Sequence, residues 1–175
     1  SWDFDDSQNL LKASVGSNLI LHGSHQAITG PSTNNGAVRI GVGSYYECAH
    51  GIAAGTYSYV NRYSLLFDFR IASIGSWYCF FQTQTANGND GYCFIRNSDG
   101  EIGVAQTGYS STPASPGVWQ RLVVTVDNAA GIYRLYLDGQ QILLGSAQAV
   151  DGRFSLDSTL LLFADDNGED GTMDV

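Results

Sequence analysis

Positive charge is scarce in this chain. Eight Lys and Arg residues stand against 17 Asp and Glu in 175 residues, a net charge of −9. The eight are scattered from Lys12 to Arg153, so no basic stripe forms to neutralise phosphates. Nucleic acid and anionic membrane surfaces are therefore not expected partners. No apolar run approaches the roughly 20 residues that a membrane-spanning helix needs, and no segment carries a 3.6-residue hydrophobic period. Proline occurs only three times and glutamate only at Glu47, Glu101 and Glu169, with no two glutamates close along one strand. The three histidines, His22, His25 and His50, come without a Gly-x-Ser-x-Gly elbow, which removes the usual nucleophilic hydrolase signature. The spacing of His22 and His25 points their side chains to opposite faces of a strand, against a zinc pair. Cys48 stands two residues before His50, a proximity that by itself does not make a catalytic dyad.

The three cysteines are too few for a disulfide scaffold, and a core of this size needs none. Cys79 and Cys93 flank a hairpin, and two readings stay open for them: small buried hydrophobes or a single bridge. There is also no leader and no initiator Met; the start at Ser1 reads as that of a processed or excised domain.

What the chain does have is glycine, 21 residues, and alternation. In "YSLLFDFRI", Leu65, Phe67, Phe69 and Ile71 share one face, and Ser64, Leu66, Asp68 and Arg70 the other. In "WQRLVVTVD", Leu122, Val124 and Val126 alternate with Arg121, Val123, Thr125 and Asp127. This period of two marks strands with one buried face. Turn signals separate such runs at Asp99-Gly100, Asp138-Gly139 and "NGNDG" from Asn87 to Gly91. Roughly a dozen strands result from this count. The expected architecture is all-β: one domain over residues 1–175, a two-sheet antiparallel sandwich.

Two strands depart from the polar-out rule. "SWYCFFQT" and "GYCFIRN" are apolar on both faces. One face meets the partner sheet. For the other, carrying Tyr78, Phe80 and Gln82, two readings compete: cover by loops, or a concave ligand groove. The loop between them, "TANGNDGY", holds Asn87, Asn89 and Asp90, with Tyr78, Tyr92 and Tyr109 as stacking faces. Aromatic faces cover the C–H patches of sugars while amides and carboxylates bond the hydroxyls, so this set is a candidate glycan site. An Asx-rich hairpin turn is the alternative.

The stretch "PGVWQRLVVTVDNAAGIYRLYLDGQQI" places Gly117 and Trp119 before a strand ending at Asp127. A glycine turn then leads to a strand reversing at Asp138-Gly139. With the opening "WDFDD", the "AVRIG" strand and the closing "MDV", this resembles the laminin-G-like and pentraxin-like modules of the concanavalin A-like lectin/glucanase superfamily. The resemblance covers most of the chain and implies a jelly-roll fold. It implies three further things. Such modules continue past the step equivalent to Met173-Asp174-Val175, so this chain is either truncated there or takes a partner strand or a copy of itself at an open C-terminal edge. Catalytic members carry a Glu-x-Asp-x-x-Glu-like motif that is missing here, which disfavours a glycoside hydrolase. Several members hold a structural calcium near the final Asp-Val step, which here implies Asp174 with Asp5 or Asp6.

The acidic run "ADDNGED" offers a second calcium reading, through Asp165, Asp166 and Asp170, although it does not match the EF-hand pattern. A solvated acidic turn competes with it. The expected function is a non-catalytic, secreted or cell-surface module that binds glycan or an extracellular protein surface, with Ca2+ as its candidate ion. A structural or assembly module without sugar binding is the alternative.

Overall fold

A computed structural model describes residues 1–86, 88, 90–164 and 171–175. Among these there is no helix, and 14 strands form two antiparallel sheets of seven. In chain order they are β1 (Ile20–His22), β2 (His25–Thr29), β3 (Gly36–Ile40), β4 (Tyr45–Ala49) and β5 (Arg62–Ile71). Next come β6 (Tyr78–Gln82), β7 (Tyr92–Ile95), β8 (Ile102–Val104), β9 (Gly108–Tyr109) and β10 (Gln120–Asp127). The last four are β11 (Ile132–Leu137), β12 (Gln140–Leu144), β13 (Thr159–Leu162) and β14 (Met173–Asp174). The first sheet runs β1-β4-β13-β6-β7-β8-β9, and the second β12-β11-β10-β5-β14-β3-β2. The all-β sandwich read from the alternation is the fold.

The second sheet matches the sequence pattern closely. β10 pairs with β5 over eight residues, from Gln120 opposite Phe69 to Asp127 opposite Arg62. Its other edge pairs with β11, Leu122 opposite Leu137. Leu122, Val124, Val126, Phe69, Tyr133 and Leu135 are fully buried, while Arg121, Ser64 and Leu66 face out. Each such burial stabilises by about 1.5–3 kcal/mol, which is why a strict alternation suffices to fix the register. The reversal into β12 has Asp138 and Gly139 both at positive φ, 49° and 81°, the conformation that the Asp-Gly turn signal predicts. The Asp138 carboxylate accepts the Arg121 N–H at 2.8 Å and ties the turn to β10.

Two expectations change. Met173 and Asp174 do not form an open C-terminal edge. β14 lies inside the second sheet, between β3 (Asp174 opposite Arg39) and β5 (Asp174 opposite Arg70). The sheet ends instead at β2 and β12. The second change concerns β6. Cys79 pairs with Phe94 but Phe81 pairs with Cys93, so one extra residue, Phe80, is inserted between them. Such a bulge puts two successive side chains on the same side. Phe80 and Phe81 both pack on Phe67 of the opposite sheet, at 5.3 and 6.5 Å between ring centroids, and Phe80 also meets Phe69 edge-on at 4.9 Å. Phe80 is thus core, not part of an outward set with Tyr78 and Gln82. The same register sends Cys79 and Cys93 to opposite faces, and no disulfide joins them.

Candidate functional site

The outer face of β6 and β7 is the first candidate surface. Gln82 pairs with Tyr92 on one side and Leu161 on the other. Tyr92 and Trp77 both rest their rings edge-on against Phe94, at 5.2 and 5.5 Å. Gln82, Cys79, Phe94 and Leu161 are buried, so the centre of this face is covered and only its rim is open. The Gln82 amide donates to the Gln84 carbonyl at 3.0 Å, while its Oε1 is buried without a hydrogen-bond partner among the described residues. Tyr109 is half-buried, and its ring carries the Arg96 guanidinium at 4.0 Å. Arg96 is held there by Asp99 at 2.6 Å and Glu101 at 2.5 Å. Its hydrogen bond pulls the Asp99 carboxyl down to about 2. Tyr78 is buried, its hydroxyl donating to the Ser73 carbonyl at 2.7 Å. Of the three tyrosines expected as stacking faces, Tyr92 alone is neither buried nor capped by a cation.

The loop between β6 and β7 leads to a better-formed site. Gly88 lines a polar pocket of about 220 Å³ together with Tyr59, Gln84, Asp151, Gly152, Ser155 and Asp157. Asp90 is buried and accepts the Gly88 N–H at 3.2 Å, which shapes this side of the loop. Asn87 and Asn89 lie outside the described residues. The opposite side of the pocket is built by Asp151, at φ 53° in the Asp-Gly turn before Phe154. Its carboxylate accepts the N–H groups of Ser58 and Tyr59, both at 3.1 Å, and the Asn61 amide at 2.7 Å. The Asn61 bond, seconded by the Ser58 N–H, holds the Asp151 carboxyl below its ordinary value. Asn61 is itself fixed by Ser155 at 2.7 Å and by the buried Asn128 at 3.2 Å. This network pins the segment that presents Tyr57 and Tyr59, which are 45% and 37% exposed. Tyr59, Asp151 and Asp157 do not stand out in the sequence. The alternate tyrosines of "GTYSYVN" were the available signal, whereas "VDGRF" reads only as a turn.

The candidate calcium ligands do not converge among the described residues. Asp174 is 5% exposed and sandwiched between Arg39 at 2.7 Å and Arg70 at 2.7 Å. Burial pushes its carboxyl up, but the two guanidinium groups outweigh this and hold it below its ordinary value. Asp5 and Asp6 are exposed. Asp5 accepts the Gly36 N–H at 2.6 Å, three residues along β3 from the Arg39 that binds Asp174. Asp6 accepts the Gln8 N–H at 3.2 Å and faces Lys12 at 3.9 Å. Among the described residues no group of three or more His, Cys, Asp or Glu is placed to hold a metal. Asp165, Asp166 and Asp170 lie outside them.

Nucleophiles are equally apart. Cys48 points into the core, where burial pushes its thiol up to about 11, and Cys93 is pushed up to about 12 by the same cause. The His50 ring bonds the Asp157 carbonyl. His22 stacks on Tyr45 at 4.6 Å and meets Glu47 at 3.0 Å on the first sheet, while His25, on β2, meets the Tyr46 hydroxyl at 2.8 Å. Glu47 and Glu101 lie on β4 and beside β8, four strands apart in sheet order.

No family model matches the chain, and no curated protein does. Solved structures do match in fold. Domain 4 of AbnA, an extracellular GH43 arabinanase from Geobacillus stearothermophilus solved with arabinotriose, is similar over 99% of this chain and 87% of that one, with TM-score 0.66 and 16% identity. The binding domain of botulinum neurotoxin serotype D matches 97% of this chain and 44% of that one, with TM-score 0.62 and 19% identity. The carbohydrate-binding module CBM66 from Bacillus subtilis matches 85% and 89%, with TM-score 0.51 and 10% identity. At these identities the likeness is one of fold: a two-sheet antiparallel β-sandwich.

Proposed function

We propose that this domain is a non-catalytic glycan-binding module of a secreted or surface protein, and that the pocket beside Tyr59 receives the sugar. The observation that carries this reading is the pairing of an exposed aromatic ring with a preorganised polar pocket. Tyr59 stands at the rim, its backbone fixed by Asp151, while Asp157, Gln84 and the Gly88 loop supply polar groups around a space of about 220 Å³. That volume holds roughly seven water molecules at about 30 Å³ each, which hydroxyls of a sugar ring can replace one for one. Tyr59 and Asp151, held in place by their hydrogen bonds, lose little entropy when a ligand arrives. Tyr92, on the far side of the same loop, extends the surface for a further residue of an oligosaccharide. The fold relatives support the reading, since one was solved with arabinotriose and another is a carbohydrate-binding module. The absent Glu-x-Asp-x-x-Glu motif and the separation of Glu47 from Glu101 support a role without hydrolysis. The finer likeness to laminin-G-like modules rests on the sequence motifs around Trp119 and Asp138.

Calcium belongs to this proposal through the acidic residues Asp165, Asp166 and Asp170. Binding to the native state alone adds about 2.7 kcal/mol at a hundredfold excess over the dissociation constant. For a domain of this size that raises the melting temperature by about 5–10 °C. Equal melting curves in millimolar calcium and in EDTA remove calcium from the account.

The glycan reading is tested by calorimetric titration with arabinotriose as the first probe, then by a glycan array. Tyr59→Ala is expected to weaken binding about tenfold, equivalent to about 1.4 kcal/mol, with an unchanged melting temperature. A protein that binds no glycan on the array, or binds one equally well without Tyr59, sinks this site.

A further inference from the structure

Hydrogen bonds inside the protein have already consumed most of the donors around the pocket beside Tyr59. Six of its seven lining residues have their backbone N–H committed elsewhere. Tyr59 donates to Asp151, Gly88 to Asp90 and Asp151 to Asn61, at 3.1, 3.2 and 2.8 Å. Gly152 donates to Ala149, Ser155 to Gly152 and Asp157 to Thr83, at 3.1, 2.9 and 3.0 Å. The Ser155 hydroxyl is spent as well, donating to Asn61 at 2.7 Å. Among the described lining residues, the Tyr59 hydroxyl and the N–H groups of Gln84 are left to donate to a ligand.

Acceptors are in surplus. A carboxylate offers about four lone-pair sites. Asp151 has filled three of them, with Ser58, Tyr59 and Asn61. Asp157 has filled one, with the Ser158 N–H at 2.6 Å. About half of the sites on these two carboxylates are therefore open. Neither carboxylate is paired with a cationic side chain among the described residues. A metal ion is not the answer to this surplus, because no third acidic, His or Cys side chain among the described residues joins them in a metal-holding group.

A sugar hydroxyl both donates and accepts, and its accepting half finds few donors here. A carboxylated or sulfated sugar brings acceptors where donors are short, and it meets charge of its own sign. A protonated amine brings three donors, no acceptor and the opposite charge. We infer that the pocket selects an amino sugar with a free, protonated amine, a residue of the glucosamine kind, and that Asp157 is the group that selects it. The inference rests on the glycan reading above and narrows it. The Asp157 carboxylate takes the ammonium, the Tyr59 ring covers the C–H face of the sugar, and Asp151 positions Tyr59. Acetylating the amine removes its charge, leaves one donor of the three and adds an acceptor, so an N-acetylated residue loses what the pocket offers.

The test is calorimetric titration at about pH 6, where an amine is protonated, with the trimers of glucosamine, N-acetylglucosamine and galacturonic acid. The glucosamine trimer is expected to bind about tenfold tighter than its acetylated form, and the galacturonate trimer not to bind. Asp157→Asn keeps an acceptor for the Ser158 N–H and removes the charge, so it should bring the two glucosamine-based trimers to within about twofold of each other. Asp68→Asn removes a carboxylate from the outer face of the second sheet and should leave the preference intact. The inference is overturned if the acetylated trimer binds as tightly, if Asp157→Asn keeps the preference, or if Asp68→Asn abolishes it. Spermidine binding as tightly as the glucosamine trimer also overturns it, since charge without a sugar ring then suffices. In each of these cases the glycan reading survives wherever a sugar still binds through Tyr59; if no sugar binds, both fall. Should Asp157→Asn fail to fold, the order of the three trimers on the unaltered protein decides.

Discussion

The β5–β10 ladder and the β6–β7 hairpin lie in different sheets, face the same core, and obey different rules. In the ladder one face is buried and the other is wet, so Phe67 and Leu66, adjacent in sequence, are 7% and 58% exposed. In the hairpin every residue from Tyr78 to Gln82 is buried. Solvent on one side gives each residue of the ladder a face that its polarity announces. Cover on both sides removes that cue, and a bulge at Phe80 then shifts the phase without leaving a mark in the hydrophobic pattern. The same contrast governs charge. Asp68 and Arg121 pair at 2.6 Å in water, while Asp174 pairs with two arginines under cover.

The hairpin side of this comparison gives the largest expected effect. Phe80→Ala should destabilise by about 3–5 kcal/mol, lowering the melting temperature by about 10 °C or more, because it empties a site between Phe67 and Phe69. Urea unfolding measures it. A loss under 1 kcal/mol would mean that Phe80 faces outward and that the hairpin alternates after all.

The charge side comes next. Asp174→Asn should cost about 2 kcal/mol, less than a fully buried pair because Arg39 and Arg70 remain 47% and 31% exposed. The loss should be the same in calcium and in EDTA. Its pH dependence has a definite sign. The Asp174 carboxyl titrates lower in the folded state than unfolded. Its stabilisation is therefore complete above the unfolded value of about 3.9 and fades as pH falls through the lower folded value. Thermal melts of protein and variant should differ fully at pH 7 and draw together in acid; a gap that widens in acid would contradict the guanidinium clasp.

The smallest effect is the control on the ladder. Leu66→Ala should change stability by no more than about 0.5 kcal/mol, since the side chain is largely in water. A loss above 1 kcal/mol by chemical denaturation would mean that this face is covered in solution.

The legible parts of the site divide in the same way. Gly88 and Asp90 could be reached from the Asn-Gly-Asp cluster, because local turn chemistry is written in neighbouring residues. Asp151 could not. It is bonded to Ser58 and Tyr59, some 90 residues away, and its role exists only once the chain has folded. The resemblance implied Asp174 with Asp5 or Asp6 as calcium ligands; that Arg39 and Arg70 clasp the Asp174 carboxylate is visible only in the fold.

What this sequence determined by itself is the β-sandwich, the strands of the β5, β10 and β11 ladder, and the Asp-Gly reversals. Each of these depends on residues within a few positions of one another and on which of them water touches. Tertiary structure alone decided the bulge that turns Phe80 inward, the placement of β14 in the middle of a sheet and the Asp151 network behind Tyr59. Those are set by which distant backbone a strand lies against, and hydrogen bonds between strands carry no signature in the side chains that flank them.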